Sequence, residues 1–412
     1  MSPEDKFVLE EFKNSINMVE GRYEVSLPWK VDKKQLPTNL VLSRKRLNST
    51  IHKLKQTNKY LEIYDQIINE QLSLSFTKTV PEDLKLTNIH YLPHLPVIKD
   101  STTTPIRIVF DASARMDKQA PSLNDCSYSG PSLTSHPTNL LLKFRLYPFA
   151  VWVDISKAFL WVGLQPRDCD YTRFIWLKDP NNEKDLQAYR FRSVLFGATC
   201  SPFLLQSTLQ HHFVTYLTSP EVSFLMTKFY VDNLIGSLPK TVSLYSLYKV
   251  AKEVLSDAGM PLREWIKLQE EWLKIKKDLK NISYQEFPRF TANRGTNYSL
   301  HIFCDVSEMA YGAAAYLTDQ HKGANLIFSK ARVAPLKKKS IPQLELTANY
   351  SAVKIADYLR TIFTTDGVKI TYTVIWFDSK VALHWIQNSK SKNVYVRNRV
   401  NEISQANEVR YL

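Results

Sequence analysis

A chain of 412 residues, 44% hydrophobic and 12% aromatic, has material for two or more packed cores, which excludes a disordered tail or fibrous repeat. Its formal net charge of +14 points to a polyanionic partner, because Lys and Arg displace counterions from phosphates. Cys126, Cys169, Cys200 and Cys304 form no CxxC pair, so zinc and a disulfide framework are not expected, and no apolar run approaches the roughly 18 residues of a membrane helix.

In chain order, MSPEDKFVLEEF lacks the basic-then-apolar pattern of a secretory leader, so a soluble cytoplasmic protein is expected. Residues from Asp5 to Met18 can cap and propagate a helix. From Asn39 to Leu74, Leu40, Leu47, Ile51, Leu54, Leu61, Ile67 and Ile68 recur at helical spacing. Arg44, Lys45, Arg46, Lys53, Lys55 and Lys59 on that stretch suit either a nucleic-acid backbone or a solvated face. From Tyr91 the texture changes to short strands and loops, with FAVWVD (Phe149 to Asp154) as a strand. The runs FLMTKFYV and LIGSL flank Asp232-Asn233 and predict a hairpin. Residues 243–281 turn helical and rich in Lys and Glu. Then LHIFCDV and GAAAYLT predict strands, followed by a helix carrying Glu345 and a strand TYTVIWFD, an alternation that suggests a second, α/β domain.

Two groups of carboxylates stand out. Asp154 ends an apolar strand and Asp232 sits at a hairpin tip; brought together across a sheet, such groups bind divalent cations for phosphoryl transfer. Taken singly, an Asp at either place commonly just caps its own backbone. Asp305 on a first strand, Glu345 on a helix and Asp378 on a later strand describe a ribonuclease H-like metal site.

The surrounding words carry a resemblance. Tyr230-Val231-Asp232-Asn233 resembles the YxDD box of reverse transcriptases, and VWVDISKAF resembles their first metal-binding motif. RIVFD, with Arg107, is similar to the fingers strand of that family, and LFGATCSPFLLQ to its FGxxxxPxxFQ segment. GRYEVSLPW, YLPHLPVIK, LNDC with SGPSL, and SIPQLELTA resemble segments of the Pol polyprotein of BEL/Pao-type long-terminal-repeat retrotransposons. The resemblance covers nearly the whole chain. It implies an α+β right-hand polymerase with fingers and palm but a missing thumb, followed by an α/β ribonuclease H-like domain. The implied parts are a helical extension over 1–90, fingers and palm over 91–242, a shortened helical connection over 243–290 and ribonuclease H over 291–412.

The resemblance also implies roles. Asp154, Asp232 and Asn233 would ligate metal in the polymerase; Asp305, Glu345 and Asp378 would do so in the nuclease, with Mg²⁺ or Mn²⁺ as the ion. Arg107 and Lys99 would pair with triphosphate oxygens, and Phe159 would be the steric gate against a ribose 2′-hydroxyl. Gly197 either admits backbone close to the nucleotide or is a plain turn glycine; Gln206 either touches primer–template or satisfies a buried loop. The implied partners are a primed RNA or DNA template, deoxynucleoside triphosphates, an RNA–DNA hybrid and the protease and integrase of the same polyprotein, in cytoplasm or virus-like particles. The chain departs from the pattern at four places. Asn233 replaces the second acid of the YxDD box, and Glu264 stands where the family has lysine. Little separates AGMPLREW from LQEEWLKIKKDLKNIS, where a thumb and connection belong. The sequence ends at VRYL, before the fourth ribonuclease H carboxylate. These departures define the alternative reading, a non-catalytic nucleic-acid-binding remnant.

Overall fold

The computed structural model describes residues 1–57, 59–81, 88–98, 106–239, 241–262, 291–292, 296–319, 323–335, 339–388, 393–405 and 409–411. Lys99, Glu264, the end of AGMPLREW and the LQEEWLKIKKDLKNIS stretch lie outside the described residues. The chain divides into two compact units. The first takes Met1–Ser135, Val153–Leu234 and the described residues from Leu247; the second takes His136–Trp152, Ile235–Ser246 and the described residues from 291 onward.

The first unit opens with a helix, Pro3–Ser15, set by a capping box. The Ser2 hydroxyl accepts from the Asp5 N–H at 3.0 Å, and the Asp5 carboxylate accepts from the Ser2 N–H at 3.1 Å. The expected continuation to Met18 fails because Ile16 turns extended, and Asn17–Val19 pairs with Arg22–Val25 instead. Glu20 and Gly21, at φ +51° and +76°, make the tight turn between those strands. The periodic stretch from 39 to 74 is two helices, Leu40–Lys55 and Tyr60–Ser73, because Lys59 turns left-handed at φ +67°. Downstream, FLMTKFYV is mostly not a strand. Ser219 and Pro220 start a helix, Pro220–Lys228, that buries Val222 and Leu225, and only Phe229–Tyr230 remain extended.

Aromatics fill the first core: Tyr64, Phe76, Phe174, Trp176 and Phe191 are fully buried. His94 lies among them, stacked on Tyr64. Its Nε2–H donates to the Ile175 carbonyl at 2.9 Å, which leaves Nδ1 to accept from the Tyr64 hydroxyl at 2.6 Å. Burial pushes the His94 imidazole down to about 4, so it is neutral. This residue starts the strand His94–Ile98, whose antiparallel partner Ile106–Phe110 carries Arg107.

In the second unit, five strands lie in the order Ala324–Val333, Ala310–Asp319, Asn297–Val306, Lys369–Trp376, Val409–Tyr411. The first three pair antiparallel; the last two add parallel to Asn297–Val306. Helix Ile341–Thr365 covers the sheet, starting from a Ser340–Gln343 capping box. Its Leu346, Ala352, Ala356 and Leu359 join Leu300, Ile302, Ala315, Leu317 and Ile375 in one core. Inward residues alternate along Ala310–Asp319, as a half-buried strand requires. The four cysteines are buried and unpaired.

Candidate active sites

In the first unit, the strand Phe149–Asp154 ends on a half-buried Asp154. Tyr230 pairs with Asn233, so Val231 and Asp232 form a two-residue hairpin tip. Val231 sits at φ +57°, a conformation that a β-branched residue adopts at a cost of about 1–3 kcal/mol. Two contacts fix that tip. The amide of Gln206, only 4% exposed, donates to the Val231 carbonyl at 2.6 Å, and the Asp232 carbonyl accepts from the Ile155 N–H at 2.9 Å. Gln206 is thus the buried support of the hairpin.

Burial raises the Asp232 carboxyl above its usual range and the neighbouring Asp154 adds to this; its own backbone N–H, the Asn233 amide and Arg107 pull the other way. Asn233 Nδ2 donates to Asp232 Oδ1 at 2.7 Å. Arg107 is exposed on its strand. Phe159 is 7% exposed and meets Phe196 edge-on at 4.6 Å between ring centres. Gly197, at φ +114°, is where a Cβ would stand 2.0 Å from the Phe110 carbonyl oxygen. Glycine is therefore required by the passing end of the Arg107 strand.

Three signals escaped the sequence reading. Val231's strain had one cue, a β-branched residue inside a two-residue tip. Asp168, 1% exposed, accepts from the Leu27 N–H and Trp29 Nε1–H, both at 2.9 Å, and pairs with Lys33 at 3.3 Å. Arg46 pairs with Asp111, so that cation is engaged; neither pairing has a sequence cue.

In the second unit, Asp305, Glu345 and Asp378 converge, with one carboxylate oxygen of each within 4.8 Å of the others. The parallel strands Asn297–Val306 and Lys369–Trp376 present Asp305 and Asp378 at one edge, and the helix delivers Glu345 from beside them. Asp305 Oδ1 accepts from the Val306 N–H at 2.7 Å. Glu345 is 6% exposed, and its Oε2 is buried with no hydrogen-bond partner. Burial, then the charges of Asp378 and Asp305, push its carboxyl up to about 7. Three convergent carboxylates with an orphaned buried oxygen form a hard, oxygen-only donor set that suits Mg²⁺ or Mn²⁺.

The family described as the Pao retrotransposon-like RNaseH-like domain matches residues 261–379. No curated protein matches the chain. Three solved structures of foamy viral protease–reverse transcriptase resemble the fold over 100% of this chain. The dRH form with double-stranded DNA gives a TM-score of 0.54 at 12% identity, covering 79% of that chain. The complex with RNA/DNA hybrid gives 0.53 at 11%, covering 60%, and that with double-stranded DNA gives 0.51 at 12%, covering 94%. At these identities the likeness is one of fold.

Proposed function

We propose that this chain, a region of a Pao/BEL-type Pol polyprotein, is an RNA-directed DNA polymerase with an attached ribonuclease H. The observation that carries the reading is the convergence of Asp305, Glu345 and Asp378. In the nuclease, those three side chains would hold the divalent ions. In the polymerase, Asp154 and Asp232 would do so, with Asn233 as a neutral third donor. When bound, the ions lower the pKa of an attacking oxygen and neutralise charge on the leaving group.

The protein's own residues do the positioning. Gln206 holds the hairpin tip so that Asp232 faces the end of the Asp154 strand. Exposed Arg107 offers a planar fork to triphosphate oxygens, with Lys99 as a second cation. Phe159, braced by Phe196, walls the sugar side and favours deoxynucleotides. The fingers, palm and missing thumb belong to this proposal, as do the parts at 1–90, 91–242, 243–290 and 291–412; loss of a thumb's phosphate contacts lowers the grip on duplex.

One observation favours the alternative, a nucleic-acid-binding remnant. Asn233 brings no charge, and its amide occupies Oδ1 of Asp232, an oxygen a cation would use. Primer extension on an RNA template with Mg²⁺ separates the readings. Extension by the parent, none by Asp232→Ala and faster extension by Asn233→Asp support the polymerase. No extension by parent or Asn233→Asp, with salt-sensitive hybrid binding kept, overturns it in favour of the remnant; extension by Asp232→Ala refutes the assignment of the site.

A further inference from the structure

A second cluster in the ribonuclease H-like unit stands apart from the three carboxylates. On the edge strand Ala324–Val333, strand alternation puts Phe328, Lys330 and Arg332 on one face. On helix Ile341–Thr365, Tyr350, Lys354 and Tyr358 lie four residues apart and share one stripe. The two stripes wall a cavity of about 460 Å³. Phe328 and Tyr358 meet edge-on at 6.0 Å, and Arg399 lies over the Tyr350 ring at 4.5 Å.

Charges on an edge strand commonly serve only to block edge-to-edge pairing. Here Lys330 and Arg332 line one cavity together with Phe328, Tyr350 and Tyr358. Lys330, Arg332 and Lys354 are exposed, and among the described residues no carboxylate forms an ion pair with any of them. Tyr350 and Tyr358 are half-buried and line the same cavity. Flat apolar walls beside unpaired cations are the complement of a base joined to a phosphate. The volume is within the range of small-ligand sites and admits one nucleotide unit.

We infer that the cavity between Tyr350, Tyr358, Lys330 and Arg332 binds a nucleoside phosphate, either free or as one unit of a single strand. Rings stack on the base; Lys330 and Arg332, with Lys354 behind, take the phosphate. This site holds a strand without cutting it, since none of its residues belongs to the carboxylate cluster.

The test measures binding of fluorescent single-stranded oligonucleotide and of unlabelled 5′-AMP to the full chain, the latter by competition. Lys330→Ala/Arg332→Ala removes two exposed cations, and Tyr350→Leu removes a ring while leaving charge unchanged. The double variant should bind oligonucleotide at least about tenfold more weakly, with a log–log salt slope shallower by about 1.4, at about 0.7 per single-strand phosphate contact. Tyr350→Leu should weaken binding about fivefold or more at unchanged slope. If AMP competes and its binding is lost with the oligonucleotide's, the site takes either source; loss of oligonucleotide binding alone assigns it to a strand, and loss of AMP binding alone to free nucleotide. Unchanged affinity and slope for both ligands in both variants, with thermal unfolding as in the parent, overturns the inference.

Discussion

Acid should loosen the first unit well before its surface carboxylates protonate. His94 is 3% exposed and commits both ring nitrogens, Nδ1 to Tyr64 and Nε2–H to Ile175, so a second proton has nowhere to bond. Its folded pKa of about 4 lies below the ordinary value of 6.5. The unfolded chain therefore takes up the proton first as pH falls, and stability drains from pH 6.5 down to about 4. At about 1.4 kcal/mol per pH unit, a fall from 6.5 to about 4 bounds the loss at about 3.5 kcal/mol. His90, buried and likewise pushed down to about 4, adds its own loss over the same window. Urea unfolding read by hydrogen exchange at the strand His94–Ile98 measures this between pH 7 and 4. His94→Gln should be less stable at pH 7, yet its slope should be shallower by one proton. If parent and variant share one slope, the imidazole is not held neutral and the argument fails.

Gly197→Ala should destabilise the first unit by about 2–5 kcal/mol, because the added Cβ meets the Phe110 carbonyl at a left-handed φ; a change under about 0.5 kcal/mol in denaturant unfolding would contradict it. Asp168→Ala should cost about 3–5 kcal/mol by stranding the Leu27 and Trp29 N–H groups and Lys33, measured the same way; a loss below about 1 kcal/mol would show that water replaces the carboxylate. Asn349 is fully buried on the long helix with both amide atoms unpartnered, so Asn349→Ala should raise the melting point of the second unit, equivalent to about 1 kcal/mol; a lower melting point would reveal a partner for that amide. Mg²⁺ should raise that melting point more at pH 8 than at pH 6, because Glu345, held up to about 7, must ionise to ligate; an equal rise at both would separate the ion from Glu345.

Much of this was legible in the residues. FAVWVD is the strand Phe149–Asp154 to the residue, because a short apolar run of β-branched and aromatic residues is closed by a carboxylate. Asp305, Glu345 and Asp378 span 73 positions of chain, yet Asp305 and Glu345 stand on the strand and helix their local patterns predict; the strand expected to carry Asp378 stops at Trp376, two residues short of it, and the three still converge. Periodicity failed where a cap outweighed it. Ser219-Pro220 turned an apolar run into a helix, and Lys59's left-handed backbone cut one long amphipathic stretch in two. The sequence left two roles open for each of Gln206 and Gly197, for another reason. Each depends on a backbone carbonyl brought in from far along the chain, Val231 for one and Phe110 for the other, and sequence spacing carries no record of such approaches.

The measurement that bears most directly on the account is cleavage of the RNA strand of an RNA–DNA hybrid by the purified chain, with Asp305→Asn alongside. The account predicts cleavage that requires Mg²⁺ or Mn²⁺ and is lost in the variant, while hybrid binding at low salt is kept in both. Cleavage that persists without divalent ion or in Asp305→Asn would contradict the assigned site, and no cleavage by the parent under any divalent ion would contradict the nuclease itself.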